Sequence, residues 1–334
     1  MRRILLITDA WHPQTNGVVT TLENLVRQAN ENGDSITVVH PDTCKIRFPF
    51  PFYREIIVGL PNRKRVEYMV TSTFWDHIHV ATPEGWIGSA FAKALNKYSV
   101  PFSASCHTKF PEFIKSRISW FPIELGWRWM KQKYNGAGVI LVPTESMKAE
   151  LENWKFGQPI QVWSRGIDRN VFDVNNNRTT NRPKILLCVS RVSHEKGLDD
   201  FCNLEIPDTE KILVGDGPYL KTLKKRYPDV QFVGKKTGKE LAEYYQHADV
   251  FVFPSKNDTF GVVMLESIAC GAPVAAYPVT GPVDIVESGT NGFLHSNLQV
   301  ATENALLVPR TTTYNSSLKW TWQHCYKQFS DCLL

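Results

Sequence analysis

Four residues in the second half of the chain have the types and spacing to hold a doubly charged group. Arg191 and Lys196 stand five apart in Ser190-Arg191-Val192-Ser193-His194-Glu195-Lys196-Gly197, just past an apolar run. Two cations in a loop at a strand end stabilise a diphosphate leaving group through charge-assisted hydrogen bonds. Further on, Phe253-Pro254-Ser255-Lys256-Asn257-Asp258-Thr259-Phe260-Gly261-Val262-Val263-Met264-Leu265-Glu266 reads as the end of a buried strand, a polar loop and a helix opening near Gly261. The first amides of a helix lack intrahelical partners and the dipole is positive there, so Thr259, Phe260, Gly261 and Val262 offer backbone N–H groups to an anion. Asp258 and Glu266 flank that opening. Eight helical residues rise about 12 Å, which suits gripping a sugar at one end of a nucleotide sugar and a ribose at the other. An ordinary N-cap and a solvated helix-face residue would look the same, and spacing alone does not separate the two uses.

Weaker signals surround this core. Gly17 lies in a loop ahead of a helical stretch, Val18–Asn32, where a missing side chain lets backbone approach a ligand. Gly215-Asp216-Gly217 is a tight strand-to-helix turn and not a dinucleotide fingerprint, because Leu220 stands where a third glycine belongs. Lys235 and Lys236 end the next strand and mark an edge for base recognition, or a solvated basic turn. His107 closes another strand, a position shared by structural and functional histidines alike. His12 and Glu112 are lesser candidates for an acceptor side.

The elements that must position these residues alternate from end to end. Candidate strands are Ile4–Thr8, Ile36–His40, Ile78–Ala81, Phe102–Ser105 and Val139–Val142, then Ile185–Val189, Lys211–Val214, Gln231–Val233, Val250–Phe253 and Val274–Ala276. Helical stretches lie between them, which predicts an α/β chain of mostly parallel sheets with helices on both faces. With 334 residues the chain is long enough for two domains. The expected division is an N-terminal Rossmann-like domain over 1–172, a polar Asn-rich linker over 173–183, a C-terminal nucleotide-sugar domain over 184–315, and an aromatic helix over 316–334 packing back across them. Two such doubly wound domains imply a cleft, since open α/β sheets bind ligands beyond their C-terminal strand ends.

Composition narrows the partners. A net charge of +5 is too weak and scattered for nucleic acid, but suits anionic small molecules or an anionic membrane surface. Apolar runs are short, so no bilayer-spanning helix is expected, and the start of the chain reads as a strand and not a signal peptide. Seven widely spaced cysteines without a Cys-x-x-Cys fit a reducing, cytoplasmic setting. Basic and aromatic residues interleave over Lys115–Phe121 and Trp127–Lys133, with Arg63-Lys64-Arg65 adding charge, a composition suited to peripheral attachment. No zinc spacing and no Asp-x-Asp is present, so no metal and no resident cofactor is expected.

Taken together, these blocks resemble glycosyltransferase family four, retaining enzymes of GT-B fold. The Asp258–Glu266 stretch resembles the family's E-x7-E signature, with aspartate for the leading glutamate as in one subgroup. Thr8-Asp9-Ala10-Trp11-His12-Pro13-Gln14-Thr15-Asn16-Gly17-Val18-Val19, Cys106-His107-Thr108-Lys109-Phe110-Pro111-Glu112, Trp163-Ser164-Arg165-Gly166-Ile167-Asp168, the Arg191–Gly197 block and Val214-Gly215-Asp216-Gly217-Pro218 extend the likeness along nearly the whole chain. The nearest subgroup is the GDP-mannose-dependent α-mannosyltransferases of lipid acceptors, followed by sulfoquinovosyl and other diglyceride glycosyltransferases. The resemblance implies that His107, Arg191, Lys196 and Asp258 serve the transfer step. It assigns Gly17, Gly215, Lys235, Thr259, Phe260, Gly261, Val262 and Glu266 to the donor. It implies metal-independent transfer of a hexose, mannose before others, from a nucleotide sugar to a lipid or glycan hydroxyl. A nucleotide-sugar epimerase or hydrolase, a UDP-sugar-dependent diglyceride transferase, and a non-catalytic nucleotide-sugar binder stay as alternatives.

Overall fold

A computed structural model describes residues 1–50, 53–72, 74–115, 118, 120–175 and 182–333. The chain divides into two compact units, Met1–Arg165 with Trp322–Leu334, and Gly166–Thr321.

The first unit contains β1 (Arg3–Ile7), β2 (Ser35–Val39), β3 (Ile46–Phe50), β4 (Tyr53–Leu60), β5 (His77–Val80), β6 (Ser103–Ser105), β7 (Val139–Val142) and β8 (Ile160–Val162). Six of these form one sheet in the order β2-β1-β5-β6-β7-β8, and every pairing is parallel. Helices cover both faces, so β1 and β7 are apolar and Ile4 to Ile7 and Ile140 to Val142 are all buried, while central β5 and β6 also bury His79, Ser103 and Ser105. β3 and β4 form a separate antiparallel hairpin. That hairpin falls in a stretch where no strand is expected, because Ile46 and Phe48 are exposed and carry no inward-facing alternation.

The helix Trp322–Asp331 closes the first unit. It buries Trp322, Cys325, Tyr326 and Phe329 against Ile4, Leu6, Leu22, Leu25 and Trp163. Asp34 fastens it at one end. Its carboxylate accepts from Arg2 Nε at 2.9 Å and from the Tyr326 hydroxyl. Burial alone would raise its pKa, but Arg2 and Tyr326 outweigh that and bring it to about 2.

The second unit contains β9 (Lys184–Val189), β10 (Thr209–Val214), β11 (Gln231–Gly234), β12 (Val250–Phe253), β13 (Val274–Ala276) and β14 (Gly292–Leu294). Their order is β11-β10-β9-β12-β13-β14, again all parallel. In each sheet the winding reverses beside its first strand, between β1 and β5 and between β9 and β12. Such switch points are where α/β sheets bind ligands.

All ten expected strands are present to within two residues. The compact units divide the chain elsewhere than the expected domains. The chain enters the second unit at Gly166 and not at 173, because Ile167 is a member of the second core and Phe172 packs on it. Ile167 N–H also donates to the Trp320 carbonyl at 3.3 Å. The described ends of the expected linker are therefore tied down inside the second unit: Asp173 O accepts from Gln246, and Arg182 pairs with Asp249 at 3.1 Å. Residues 176–181 of that stretch lie outside the described residues. The aromatic tail is likewise divided. Trp320 stays in the second unit, edge-on to Phe260, and only from Trp322 onward does the chain rejoin the first.

Candidate functional site

The loop after β9 carries Arg191 and Lys196. A short 3₁₀ turn, His194–Lys196, folds it back, and Gly197 ends the turn with φ +63°. A Cβ there would lie 2.7 Å from Pro254 O, so glycine lets this loop sit directly against the loop after β12. The result is an ion pair across the switch point, Lys196 Nζ to Asp258 Oδ1 at 2.7 Å. Burial pushes the Asp258 carboxyl up, yet Lys196, with Ser255 and Arg191 adding to it, more than offsets this and holds it below its ordinary value. Asp258 Oδ2 is sealed from solvent with no partner in hydrogen-bond geometry, and so is the nearby Ser255 hydroxyl. Arg191 is steadied by Glu195, whose Oε1 accepts from Arg191 Nη2 at 3.0 Å and from Ser193 Oγ at 2.7 Å. Glu195 was not among the residues singled out above; its place four residues after Arg191 in a tight turn is the signal that could have found it.

The helix after this loop runs Val262–Ala269 behind Gly261, which has φ +91°. Its N-cap residue is a glycine and so brings no capping side chain of its own. The contrast with the first unit is clear. Gly17 is not in a loop but is the first residue of helix Gly17–Glu31, and Asn16 Oδ1 already accepts from Val18 N and Val19 N. That opening is occupied by its own cap.

Glu266 is not a solvated face residue. It is half-buried, accepts a hydrogen bond from Tyr245 Oη at 2.9 Å, and burial raises its pKa to about 7. Its neutral form is favoured in the ligand-free fold, a stabilisation fully present below the ordinary carboxylate range and lost as pH rises through 7. A ribose diol, by contrast, needs the carboxylate as acceptor. With the ribose on Glu266, the place the resemblance gives it, nucleotide affinity is expected to increase as pH climbs through about 7. Calorimetric GDP titrations across pH 6 to 8 should show this inflection in the wild type and lose it in Glu266→Gln.

Gly215 and Gly217 brace the cation loop. A Cβ on Gly215 would stand 1.8 Å from Ser190 O, and one on Gly217 2.3 Å from Val192 O. Val192 N–H donates to Asp216 O, and Tyr219 N–H to Val192 O. Lys235 is exposed at the end of the edge strand β11, two strands from β9, while Lys236 pairs with Glu240. The structure thus brings together Arg191, Lys196, Asp258 and the Gly261 helix opening, with Glu266 one turn along; Lys235 stands apart.

In the first unit His107 follows β6 and is buried. Both ring nitrogens are engaged, Nε2 with Ser105 Oγ at 2.8 Å and Nδ1 with Arg165 at 3.0 Å. Burial, then Arg165 and His79, lower its pKa well below the ordinary value, so the ring is neutral. Glu112 accepts from Trp127 Nε1 at 3.1 Å, and His12 pairs with Glu23. Asp9, from the switch point between β1 and β5, accepts from Ile87 N and Gly88 N at 2.9 and 3.0 Å and so caps helix Trp86–Lys97. Of the basic-aromatic stretch, Trp127 is core and stacks on Trp154, whereas Trp120, Leu125 and Trp129 are exposed beside Arg128 and Lys131. Ser116, Arg117 and Ser119 lie outside the described residues. Among the described residues no helix is long and apolar enough to cross a membrane.

Residues 15–171 match the family described as Glycosyltransferase Family 4, and residues 172–302 match Glycosyl transferases group 1. The chain belongs to these glycosyltransferases. Its fold is GT-B. Sucrose-phosphate synthase from Thermosynechococcus elongatus superposes with a TM-score of 0.77 at 19% identity, over 99% of this chain and 98% of that one. Anabaena Alr3699/HepE, solved with UDP and glucose, gives 0.71 at 18% identity, over 99% of each. Among curated relatives, a sulfoquinovosyl transferase of Arabidopsis thaliana is 27% identical over 88% of this chain, which spans 63% of that protein's length. A GDP-mannose-dependent alpha-mannosyltransferase of Corynebacterium glutamicum is also 27% identical, over 87% of this chain and 76% of the relative. An alpha-monoglucosyldiacylglycerol synthase of Streptococcus pneumoniae is similar at 27%, over 82% of this chain and 71% of its own.

Proposed function

We propose that this transferase moves a hexose from a nucleoside diphosphate sugar to a lipid or glycan hydroxyl with retained configuration, GDP-mannose being the favoured donor. One observation carries the reading: the Lys196–Asp258 pair lies at the β9/β12 switch point, beside a helix that opens on a glycine N-cap. Lys196 and Arg191 hold the diphosphate, and the Phe260, Gly261 and Val262 amides add donors without a divalent ion. Asp258 takes a sugar hydroxyl, and Glu266 takes the ribose. Family resemblance assigns His107 to the transfer step and Gly17 and Gly215 to the donor, and Gly215 also braces the cation loop.

In the transfer, the bond from C1 to the diphosphate oxygen breaks and its electron pair leaves with the diphosphate. The acceptor oxygen bonds to C1 from the same face, and its proton passes to the departing phosphate oxygen. Front-face return needs no carboxylate beneath C1. The cations stabilise charge that grows on the leaving group, which is where such contacts lower the barrier.

Relatives bearing the GDP-mannose name favour that donor. The sulfoquinovosyl and monoglucosyl names favour a second reading, another sugar nucleotide with a diglyceride acceptor. A thermal-shift panel of GDP-mannose, UDP-glucose and UDP-sulfoquinovose, followed by lipid acceptors with the best donor, decides between them. Stabilisation by none of the three would reject the donor site. Release of free sugar or a new epimer without acceptor would point instead to hydrolysis or epimerisation. EDTA is expected to leave turnover unchanged; a loss restored by Mg²⁺ would contradict the cation assignment.

We further assign the exposed Trp120, Leu125 and Trp129, with Arg128 and Lys131, to an anionic membrane surface. Seven free thiols, five of them buried, fit the cytoplasmic side. Leu125→Asp/Trp129→Ser should abolish co-flotation with phosphatidylglycerol vesicles while leaving GDP binding intact; undiminished flotation would remove the assignment.

A further inference from the structure

Arg165 stands just past β8 and is buried at 4% exposure. Its guanidinium lies 4.9 Å from the centre of the Trp163 ring, and Nη1 donates to the carbonyls of Trp163 and Ser164. Nη2 faces His107 Nδ1 at 3.0 Å. An arginine N–H can only donate, so Nδ1 is the acceptor and carries no proton. The proton of the neutral ring therefore sits on Nε2, which donates to Ser105 Oγ at 2.8 Å. Ser105 has outlets for its own proton at His79 Nε2, 3.0 Å away, and at Ala81 O, 3.4 Å away. An imidazolium would set Nδ1–H against Nη2–H, two donors and two positive charges face to face.

We propose that Arg165 is a positioning residue that fixes His107 as the neutral Nε2–H imidazole and prevents it from acting as a proton carrier. The inference rests on the reading that His107 serves the transfer step. It sharpens that reading, because a histidine with one nitrogen held by a cation and the other spent on Ser105 leaves the acceptor's proton to the departing diphosphate. Burial is the largest influence against a charged His107, and the neighbouring groups that follow act in the same direction. Arg165 after β8 and His79 on β5 both disfavour a second charge. From the terminal helix the Cys325 thiol faces Arg165. Cys106, next in the chain, is itself buried, with its thiol pKa raised.

The test is ¹⁵N NMR of the full chain labelled at histidine, with His107 assigned by comparison with His107→Gln. The wild type is expected to show one neutral ring, protonated at Nε2, from pH 5.5 to 8.5. Arg165→Met is expected to let His107 titrate, with tautomers mixed above its midpoint. With GDP-mannose saturating at each pH, so that the affinity change expected from Glu266 does not enter, turnover in this variant should fall at least fivefold between pH 8 and pH 6, against less than twofold in the wild type. Arg165→Lys keeps a cation, so His107 should stay neutral, which guards against Arg165→Met failing to fold. A wild-type ring protonated at Nδ1, or an Arg165→Met ring that still holds the Nε2–H form with the wild-type pH profile, overturns the proposal. Failure of the underlying reading has a different signature: the tautomer is as described, but His107→Ala turns over GDP-mannose as fast as the wild type.

Discussion

Lys196→Ala is expected to reduce transferase turnover at least tenfold, about 1.4 kcal/mol of transition-state stabilisation. Two losses combine. The leaving diphosphate loses one of its cations at the point where negative charge develops. Asp258, 2.7 Å from Lys196 Nζ, also loses the partner that keeps its half-buried carboxyl ionised. Removing one member of a buried ion pair leaves an uncompensated charge or forces protonation, and a protonated Asp258 is a poorer acceptor for a sugar hydroxyl. The two losses separate in a double-mutant cycle. If both side chains act on the donor through their mutual contact, Lys196→Ala and Asp258→Asn together cost less than the sum of each alone. Steady-state kinetics with the donor chosen by the thermal-shift panel provides the numbers. Turnover within twofold of the wild type would remove Lys196 from the transfer step.

Gly215→Ala should be the most disruptive single-methyl change in the second unit. The added Cβ would meet Ser190 O at 1.8 Å, and the backbone at Gly215 has φ +148°. Neither obstacle is the far end of a flexible side chain; the contact is backbone on backbone. Gly215 N–H is also tied to Gly234 O at 2.9 Å, so the turn cannot move away without breaking β10 from β11. Strain of this kind costs on the order of 3 kcal/mol, about 6–12 °C in melting temperature for a unit of this size. Because Ser190 precedes Arg191, the displaced loop should also weaken GDP binding. Scanning calorimetry and titration on the same sample check both. A melting temperature within 2 °C of the wild type would show that the turn relaxes freely.

The second-unit site was legible because its chemistry and its scaffold share one short-range signal. The apolar run Val250–Phe253 had to be a strand, and the switch from polar loop to helix at Gly261 had to leave amides exposed. Arg191 and Lys196 were readable for the same reason, as cations following a strand end. What escaped was carried by long-range contact. Tyr245 reaches Glu266 from a neighbouring helix, and nothing near Glu266 in sequence distinguishes a buried carboxyl from a solvated one. Gly17 misled because Asn16, one residue earlier, is the better reading of the same letters: an N-cap. The Gly166 crossing was hidden because a polar, Asn-rich stretch at 173–183 looks like a boundary, whereas the true crossing runs through Ile167, an apolar residue committed to the second core. The hairpin of β3 and β4 was missed because the apolar residues of β3, Ile46, Phe48 and Phe50, are exposed and mark no buried face, although Val58 of β4 is buried.

The most direct measurement is a crystal structure of the chain with GDP or its sugar nucleotide. The diphosphate is expected with an oxygen about 3 Å from Lys196 Nζ, another on the amides at Gly261 and Val262, and a ribose hydroxyl on Glu266. A diphosphate bound elsewhere, with the Lys196–Asp258 pair intact and the Val262 helix opening unvisited, would contradict the account.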